Sequence, residues 1–174
     1  YEVQRIQMVY GWSMGGQQAY HWGALYPDLV ERICVVCSSA RTAAHNQVFL
    51  EGVMAALTAD SAYRDGWFWE VPHRGLRAMA RVYAGWALSQ RFYRQNLWEK
   101  AGYSSLEDYF VGDWERNFRR RDANDLLAQL RTWSACDLSS CVEFAGDLEL
   151  ALGSIKAQAV IMPCEQDMYF RVAD

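Results

Sequence analysis

Met8-Val9-Tyr10-Gly11-Trp12-Ser13-Met14-Gly15-Gly16-Gln17-Gln18 decides how the rest of the chain is read. It contains Gly11-x-Ser13-x-Gly15, the spacing of a nucleophile elbow, in which a serine sits on a sharp strand-to-helix turn. An apolar run from Ile6 to Tyr10 leads in, and a helix-like run from Gln17 to Tyr26 leads out. Gly11 and Gly15 carry no Cβ, so strand and helix are expected to approach closely there. Such a turn strains the serine backbone and pushes the Ser13 hydroxyl out of the sheet. It also aims backbone N–H groups at the space where an oxyanion develops, and Met14, next after the serine, supplies one of them. The bare spacing also fits a glycine-rich turn with an idle serine; the strand before it and the helix after it favour the elbow.

Outward from this point, Arg5–Gly11 reads as a strand and Gly15–Tyr26 as a helix that stops before Pro27, whose ring blocks continuation. Arg32–Cys37 is a β-branched apolar run and a second strand. Strand, helix and strand within about thirty residues make a βαβ unit, which demands a parallel sheet. Ser38–Asn46 is then a polar loop at the C-terminal edge of that sheet, where open α/β sheets bind ligands.

From residue 47 to residue 145 the pattern changes. Val48, Leu50, Val53, Met54 and Leu57 recur at helical spacing, as do Leu76, Met79, Ala80, Tyr83 and Ala87. Ser105 is an N-cap candidate before Leu106, Tyr109, Phe110, Trp114 and Phe118, and Asp125–Trp133 is a further helix. Tyr63–Pro72 reads as an aromatic-rich loop. Ala159–Met162 returns to strand, followed by Pro163-Cys164-Glu165-Gln166-Asp167. The organisation is an α/β core, residues 1–46 and 146–174, with a helical lid inserted at 47–145. This is an α/β class chain carrying part of an α/β-hydrolase fold, whose acid follows its serine in chain order. Asp167, just past a strand, stands where that acid belongs and would orient an imidazole; the alternative is a plain loop carboxylate.

With 174 residues, of which 52% are hydrophobic, the chain has material for a sizeable core and is not of the disordered class. A net charge of −4 gives no reason to expect nucleic acid as a partner, and Arg119-Arg120-Arg121 runs straight into Asp122 and Asp125, as a solvated helix end does. No apolar run has the length of a membrane span, and no signal peptide is visible in a sequence that begins at Tyr1. The five cysteines include Cys34 and Cys37 at C-x-x-C spacing in a strand, with no second pair at metal-finger spacing. Buried free thiols in a reducing cytoplasm are the expectation, with no metal site.

His21, His45 and His73 are the histidines of the chain, and all precede Asp167. None stands where the fold puts a general base. The second oxyanion donor, which belongs to a loop well before the elbow, has no counterpart either. The chain is therefore expected to be an internal portion of a larger protein, carrying the nucleophile and the acid.

These residues taken together resemble the homoserine O-acetyltransferase family. The resemblance is carried by Gly11-Trp12-Ser13-Met14-Gly15-Gly16-Gln17-Gln18, by Tyr26-Pro27-Asp28 to Arg32, and by Ser39-Ala40-Arg41-Thr42. It continues through Asn46, Leu57-Thr58-Ala59-Asp60, Gly75-Leu76-Arg77-Ala78 and Asp167-Met168-Tyr169-Phe170. It implies that acetyl-CoA, a co-substrate, acetylates Ser13, and that the acetyl group passes to homoserine or a similar alcohol without metal or prosthetic group. It further implies a cytoplasmic enzyme of methionine biosynthesis, a dimer paired through its lid helices, with Ser13 as nucleophile and Asp167 as acid. Arg41 and Asn46 are the candidates for holding the acceptor. Arg41 either grips an amino-acid carboxylate by two parallel N–H bonds or pairs with a lid carboxylate. Gly66-Trp67-Phe68-Trp69 departs from the shorter Gly-x-Tyr usual in the family and leaves the acceptor open. Two other readings stand beside acyl transfer: an esterase with the same machinery and water as acceptor, and a non-catalytic, partner-dependent fragment.

Overall fold

The computed structural model describes residues 2–174. In chain order its elements are β1 (Val9–Trp12), α1 (Met14–Leu25), β2 (Arg32–Val36), α2 (Ala44–Thr58), β3 (Tyr63–Arg64), β4 (Trp67–Phe68) and α3 (His73–Ala87). There follow α4 (Gln90–Arg94), α5 (Leu97–Lys100), α6 (Leu106–Tyr109), a π-helical segment (Phe110–Glu115), α7 (Arg116–Phe118), α8 (Ala123–Ser134), a 3₁₀ turn (Leu138–Ser140), α9 (Leu148–Gly153) and β5 (Gln158–Met162). Contacts divide the chain into two compact units: residues up to Ala43 with Ala135–Asp174, and Ala44–Ser134. The sequence reading set these limits at 46/47 and 145/146. Residues after 134 join the first unit because the Thr42 N–H donates to Cys136 O at 2.8 Å and the Leu138 N–H to Ala40 O at 3.0 Å.

The first unit is built on a parallel sheet of order β1-β2-β5. Val9 pairs with Ile33 and Trp12 with Val36; Ile33 pairs in turn with Ala159, and Val36 with Met162. The first strand is shorter than the expected Arg5–Gly11, since Ile6 makes only an isolated bridge to Val30 and the ladder begins at Val9. Alternation along β2 puts Ile33 and Val35 inward, where they pack with Ala19 of α1 and Val30. A second cluster joins Ala24 to Leu138, Phe144 and Ala151. Its Ala151 lies on α9, a helix the apolar spacing did not announce, capped by Asp147 accepting from the Leu150 N–H at 2.9 Å. β1 and β5 are the outer strands, and every residue of β5 is exposed.

In the second unit the helices expected from the apolar spacing form, but Val48, read as the start of the apolar face of α2, is exposed and Phe49 is buried in its place. Phe49, Leu50, Val53 and Leu57 of α2, Leu76, Met79, Ala80 and Ala84 of α3, and Leu126, Leu127, Leu130 and Trp133 of α8 are buried. Each large side chain of this kind contributes about 1.5–3 kcal/mol by burial. Phe49 is the centre of an aromatic cluster, with ring centroids 5.1 Å from Tyr83, 5.3 Å from Trp86 and 5.8 Å from Trp133. Ser105 caps α6 as read, accepting from the Asp108 N–H. The aromatic stretch expected as a loop is instead a β3–β4 hairpin, with Tyr63 paired to Phe68 and Arg64 to Trp67. Its two-residue loop is Asp65-Gly66 at φ 54° and 84°, the left-handed pair that a tight hairpin needs. Asn124 of α8 pins the hairpin, accepting from the Phe68 N–H and donating to its carbonyl.

Asp60 closes the α2–α3 corner. Its carboxylate accepts the N–H groups of Ala62, Arg74 and Gly75 at 2.8–3.1 Å, two of them in the first turn of α3, where N–H groups have no intrahelical partner. These bonds, that from Ala62 first, hold the Asp60 carboxyl below its ordinary range. A depressed carboxyl contributes stability that is present above its unfolded pKa and lost as pH falls through its folded pKa. Asp60→Ala is therefore expected to lower stability by about 1–2 kcal/mol near neutrality. The gap to the parent should narrow in acid, below the usual carboxylate range. Equal melting curves for parent and variant at pH 7 would exclude this role.

Candidate active site

The local fold at Ser13 follows from three contacts. β1 delivers the chain to Ser13, whose N–H donates to Val36 O of the neighbouring strand at 2.9 Å. α1 starts one residue later, and its first bonds, from the Gly16 and Gln17 N–H groups, return to the Ser13 carbonyl. Between the two, Ser13 has φ 56° and ψ −126°, a strained backbone that costs a non-glycine residue about 1–3 kcal/mol. This is the elbow the sequence implied. Of the two glycines expected to make the close approach, Gly11 does so against the Gly15 backbone, and Gly16 rather than Gly15 is the second. A Cβ on Gly11 would lie 1.9 Å from Gly15 O, and one on Gly16 would lie 2.5 Å from Ser38 Cβ, whereas a Cβ on Gly15 meets nothing within 4 Å.

Met14 occupies the first position of α1, where an N–H has no partner within the helix and is available to an oxyanion. Gln17, on the next turn, is buried and donates from Nε2 to Thr42 Oγ1 at 3.0 Å, so α1 is fastened to the loop after β2. In that loop the buried Ser39 hydroxyl donates to Arg41 O at 2.5 Å, and Arg41 pairs by backbone with Asp137. The Arg41 side chain is exposed and makes no ion pair among the described residues.

Asp167 stands in a tight turn after β5. Its N–H donates to Cys164 O at 3.1 Å, and its Oδ1 accepts the N–H groups of Tyr169 and Phe170 at 2.8 and 3.0 Å. Phe170, 3% exposed, anchors that turn. Ser13 and Asp167 thus follow the C-terminal ends of parallel strands, with β2 between them. A third residue belongs to this edge. Cys37, which follows β2, has its thiol pushed above the ordinary range, by burial first and then by the charges of Asp167 and Cys164. The expectation of buried thiols is not met: the cysteines are free, with Cys34, Cys37, Cys136 and Cys141 half-buried and Cys164 exposed.

Asn46 lies in the second unit, in the first turn of α2, fully buried, and neither atom of its amide has a hydrogen-bond partner among the described residues. The histidines are not joined to Asp167. His21 bonds through Nδ1 to Gln17 O at 2.8 Å, one turn back on α1. His45 is exposed and stacks on Trp86 at 4.9 Å, and His73 is exposed at the start of α3. Among the described residues no group of three or more metal-ligating side chains occurs, and no helix is long and apolar enough to cross a membrane.

A serine held at left-handed φ between a parallel strand and its helix, with an aspartate after a later strand, is an arrangement of the α/β-hydrolase fold, and the chain has that fold. Its relatives include esterases and homoserine acyltransferases. No protein-family model matches it. It is 33% identical over 174 residues to an ethyl acetate hydrolase of Pseudomonas veronii, an alignment covering 99% of this chain and 49% of that one. Among solved structures, it is similar to an acetylester hydrolase from Corynebacterium glutamicum, with TM-score 0.93, 30% identity, and coverage of 100% of this chain and 50% of that one. It is also similar to a homoserine O-acetyltransferase from Bacillus anthracis, with TM-score 0.79, 26% identity, and coverage of 97% and 48%. Homoserine O-succinyltransferases also occur among its relatives. The chain spans about half the length of the relatives it matches.

Proposed function

We propose that the protein is a serine esterase acting on short acyl esters, acetyl esters first, through a Ser13 acyl-enzyme. The observation that carries this reading is the strained Ser13 elbow in a chain whose structural likeness is greater to an acetylester hydrolase than to a homoserine acetyltransferase, 0.93 against 0.79. Ser13 Oγ attacks the ester carbonyl while its proton passes to an imidazole, which we place outside residues 1–174. The Met14 N–H holds the developing oxyanion, and Asp167 keeps that imidazole in the right tautomer. The alcohol leaves with the proton. Water then attacks the acetyl-serine, giving a proton to the same base; the base returns that proton to Ser13 Oγ as its bond to the acyl carbon breaks, and acetic acid departs and ionises to acetate. None of these steps calls for a metal or a prosthetic group.

The second reading, transfer from acetyl-CoA to homoserine or a like alcohol, has the homoserine acyltransferase relatives and the unpaired, exposed Arg41 in its favour. Purified protein given p-nitrophenyl acetate, and separately acetyl-CoA with homoserine, distinguishes them by product. We expect acetate from the first and no O-acetylhomoserine from the second. O-acetylhomoserine at an enzymatic rate would overturn the esterase reading. Arg41→Ala would then be expected to raise the KM for homoserine by roughly tenfold or more, as loss of a charge-assisted pair does, and to leave acylation of Ser13 unchanged.

A further inference from the structure

Ser13 keeps its left-handed φ of 56° between β1 and α1. Backbone strain of that kind lasts only where the surroundings over-determine it. On the strand side, the Ser13 N–H donates to Val36 O at 2.9 Å. On the helix side, the first turn of α1 meets the loop after β2 at two points. Gly16 packs against Ser38, so closely that a Cβ on Gly16 would lie 2.5 Å from Ser38 Cβ. Gln17 Nε2 donates to Thr42 Oγ1 at 3.0 Å. The loop is itself held, by the Thr42 N–H on Cys136 O at 2.8 Å and by the Ser39 hydroxyl on Arg41 O at 2.5 Å.

Packing does not explain a glutamine at position 17. Gln17 is 1% exposed, yet its Oε1 has no hydrogen-bond partner among the described residues. An unpaired buried acceptor lowers stability, and methionine, unbranched and of similar length, would fill the place without one. Methionine could not bond to Thr42. A hydrogen bond fixes distance and direction, whereas apolar burial is non-directional and lets a helix shift on its support.

We propose that Gln17 is a positioning residue: its buried amide, bonded to Thr42, locks the first turn of α1 at the strained Ser13 bend and so holds the Met14 N–H where the oxyanion forms. This rests on the reading of Ser13 as nucleophile and Met14 as oxyanion donor, and serves ester hydrolysis and acyl transfer alike.

Gln17→Met isolates the amide, since the other hydrogen bonds of Gln17 are main-chain: its N–H to Ser13 O at 3.3 Å and its carbonyl with His21 Nδ1 at 2.8 Å. Stability and turnover should then move apart. The variant should melt at or above the parent temperature, because the unpaired acceptor is gone. Its kcat for p-nitrophenyl acetate should fall roughly ten- to a hundredfold with KM unchanged, the signature of a misplaced catalytic group. Thr42→Val should lower kcat likewise, and Thr42→Ser, which keeps the hydroxyl, should retain most of it. The Gln17→Met/Thr42→Val double variant should be no slower than the slower single one. An unchanged kcat in Gln17→Met, or a loss that tracks a fall in melting temperature, would overturn the positioning role. Hydrogen exchange of the amides at positions 16 and 17, which donate to the Ser13 carbonyl, reads the tether without turnover. We expect it about fivefold faster or more in Gln17→Met; equal exchange would overturn the tether. A parent without Ser13-dependent turnover would overturn the reading of the site instead, and the exchange ratio would still decide the tether.

Discussion

Ser13→Ala is expected to lower kcat/KM for an acetyl ester by on the order of 10⁵–10⁶-fold, because removing the nucleophile of such a constellation costs about as much as removing the constellation. The fold should survive. Ser13 Oγ makes no hydrogen bond among the described residues, so the variant loses a reactive atom and no structural contact. Alanine also occupies φ 56° at much the same cost as serine. Mass spectrometry after rapid quenching with p-nitrophenyl acetate supplies the second readout: one acetyl group on the Ser13 peptide of the parent, none in the variant. An acetyl group on any other residue of a fully active Ser13→Ala protein would end the assignment of the nucleophile.

The second large effect is on stability, and it sets two glycines of the elbow against each other. An alanine at 11 would place its Cβ 1.9 Å from Gly15 O and 2.2 Å from Gly15 C. Those are backbone atoms at the mouth of α1, so relief requires moving the helix off the strand. The expected cost is about 3 kcal/mol or more, at the upper end for over-packing. For a chain of this length that is a fall in Tm on the order of 10 °C. An alanine at 15 meets nothing within 4 Å and replaces a glycine inside α1. That substitution should be neutral or stabilise by about 0.5–1 kcal/mol. Thermal melts of the two variants beside the parent check the contrast, and a Gly11→Ala protein as stable as Gly15→Ala would mean that strand and helix do not approach as described.

Why Ser13 could be read from the sequence and Cys37 could not is a matter of where the information lies. The elbow is local: five consecutive residues, flanked by an apolar run and a helical run, contain the whole turn. Asp167 was reachable because a short apolar run and an acidic loop announce the end of a strand. That Cys37 stands at the same sheet edge as Ser13 and Asp167 depends on the register of β2 against β5, Val36 opposite Met162, and residues so far apart in sequence carry no mark of which pairs will face each other. Its one clue was position, since Cys37 follows β2 as Ser13 follows β1. The β3–β4 hairpin is a different lesson. Asp65-Gly66 is a strong turn signal, but strands of two residues are too short to show alternation, and the aromatic side chains around it drew the reading toward a loop. The π-helical turn at Phe110–Glu115 has no sequence signal at all. It adds a residue to a helical stretch, so that the buried Glu115 carboxylate meets Arg77 at 3.1 Å and Arg81 at 2.7 Å.

The outer strands of the sheet bear on how the 174 residues behave in a test tube. Among the described residues, β1 and β5 each have a neighbouring strand on one side only. On those strands, Tyr10 and Trp12 are 65% and 68% exposed, and Val160, Ile161 and Met162 are 43–55% exposed. Unpaired strand edges flanked by apolar and aromatic side chains are templates on which further strands add. Concentrated solutions of residues 1–174 by themselves are expected to grow by edge-to-edge strand addition, and Ile161→Lys on β5 to keep them dispersed, an outcome that light scattering of the two checks.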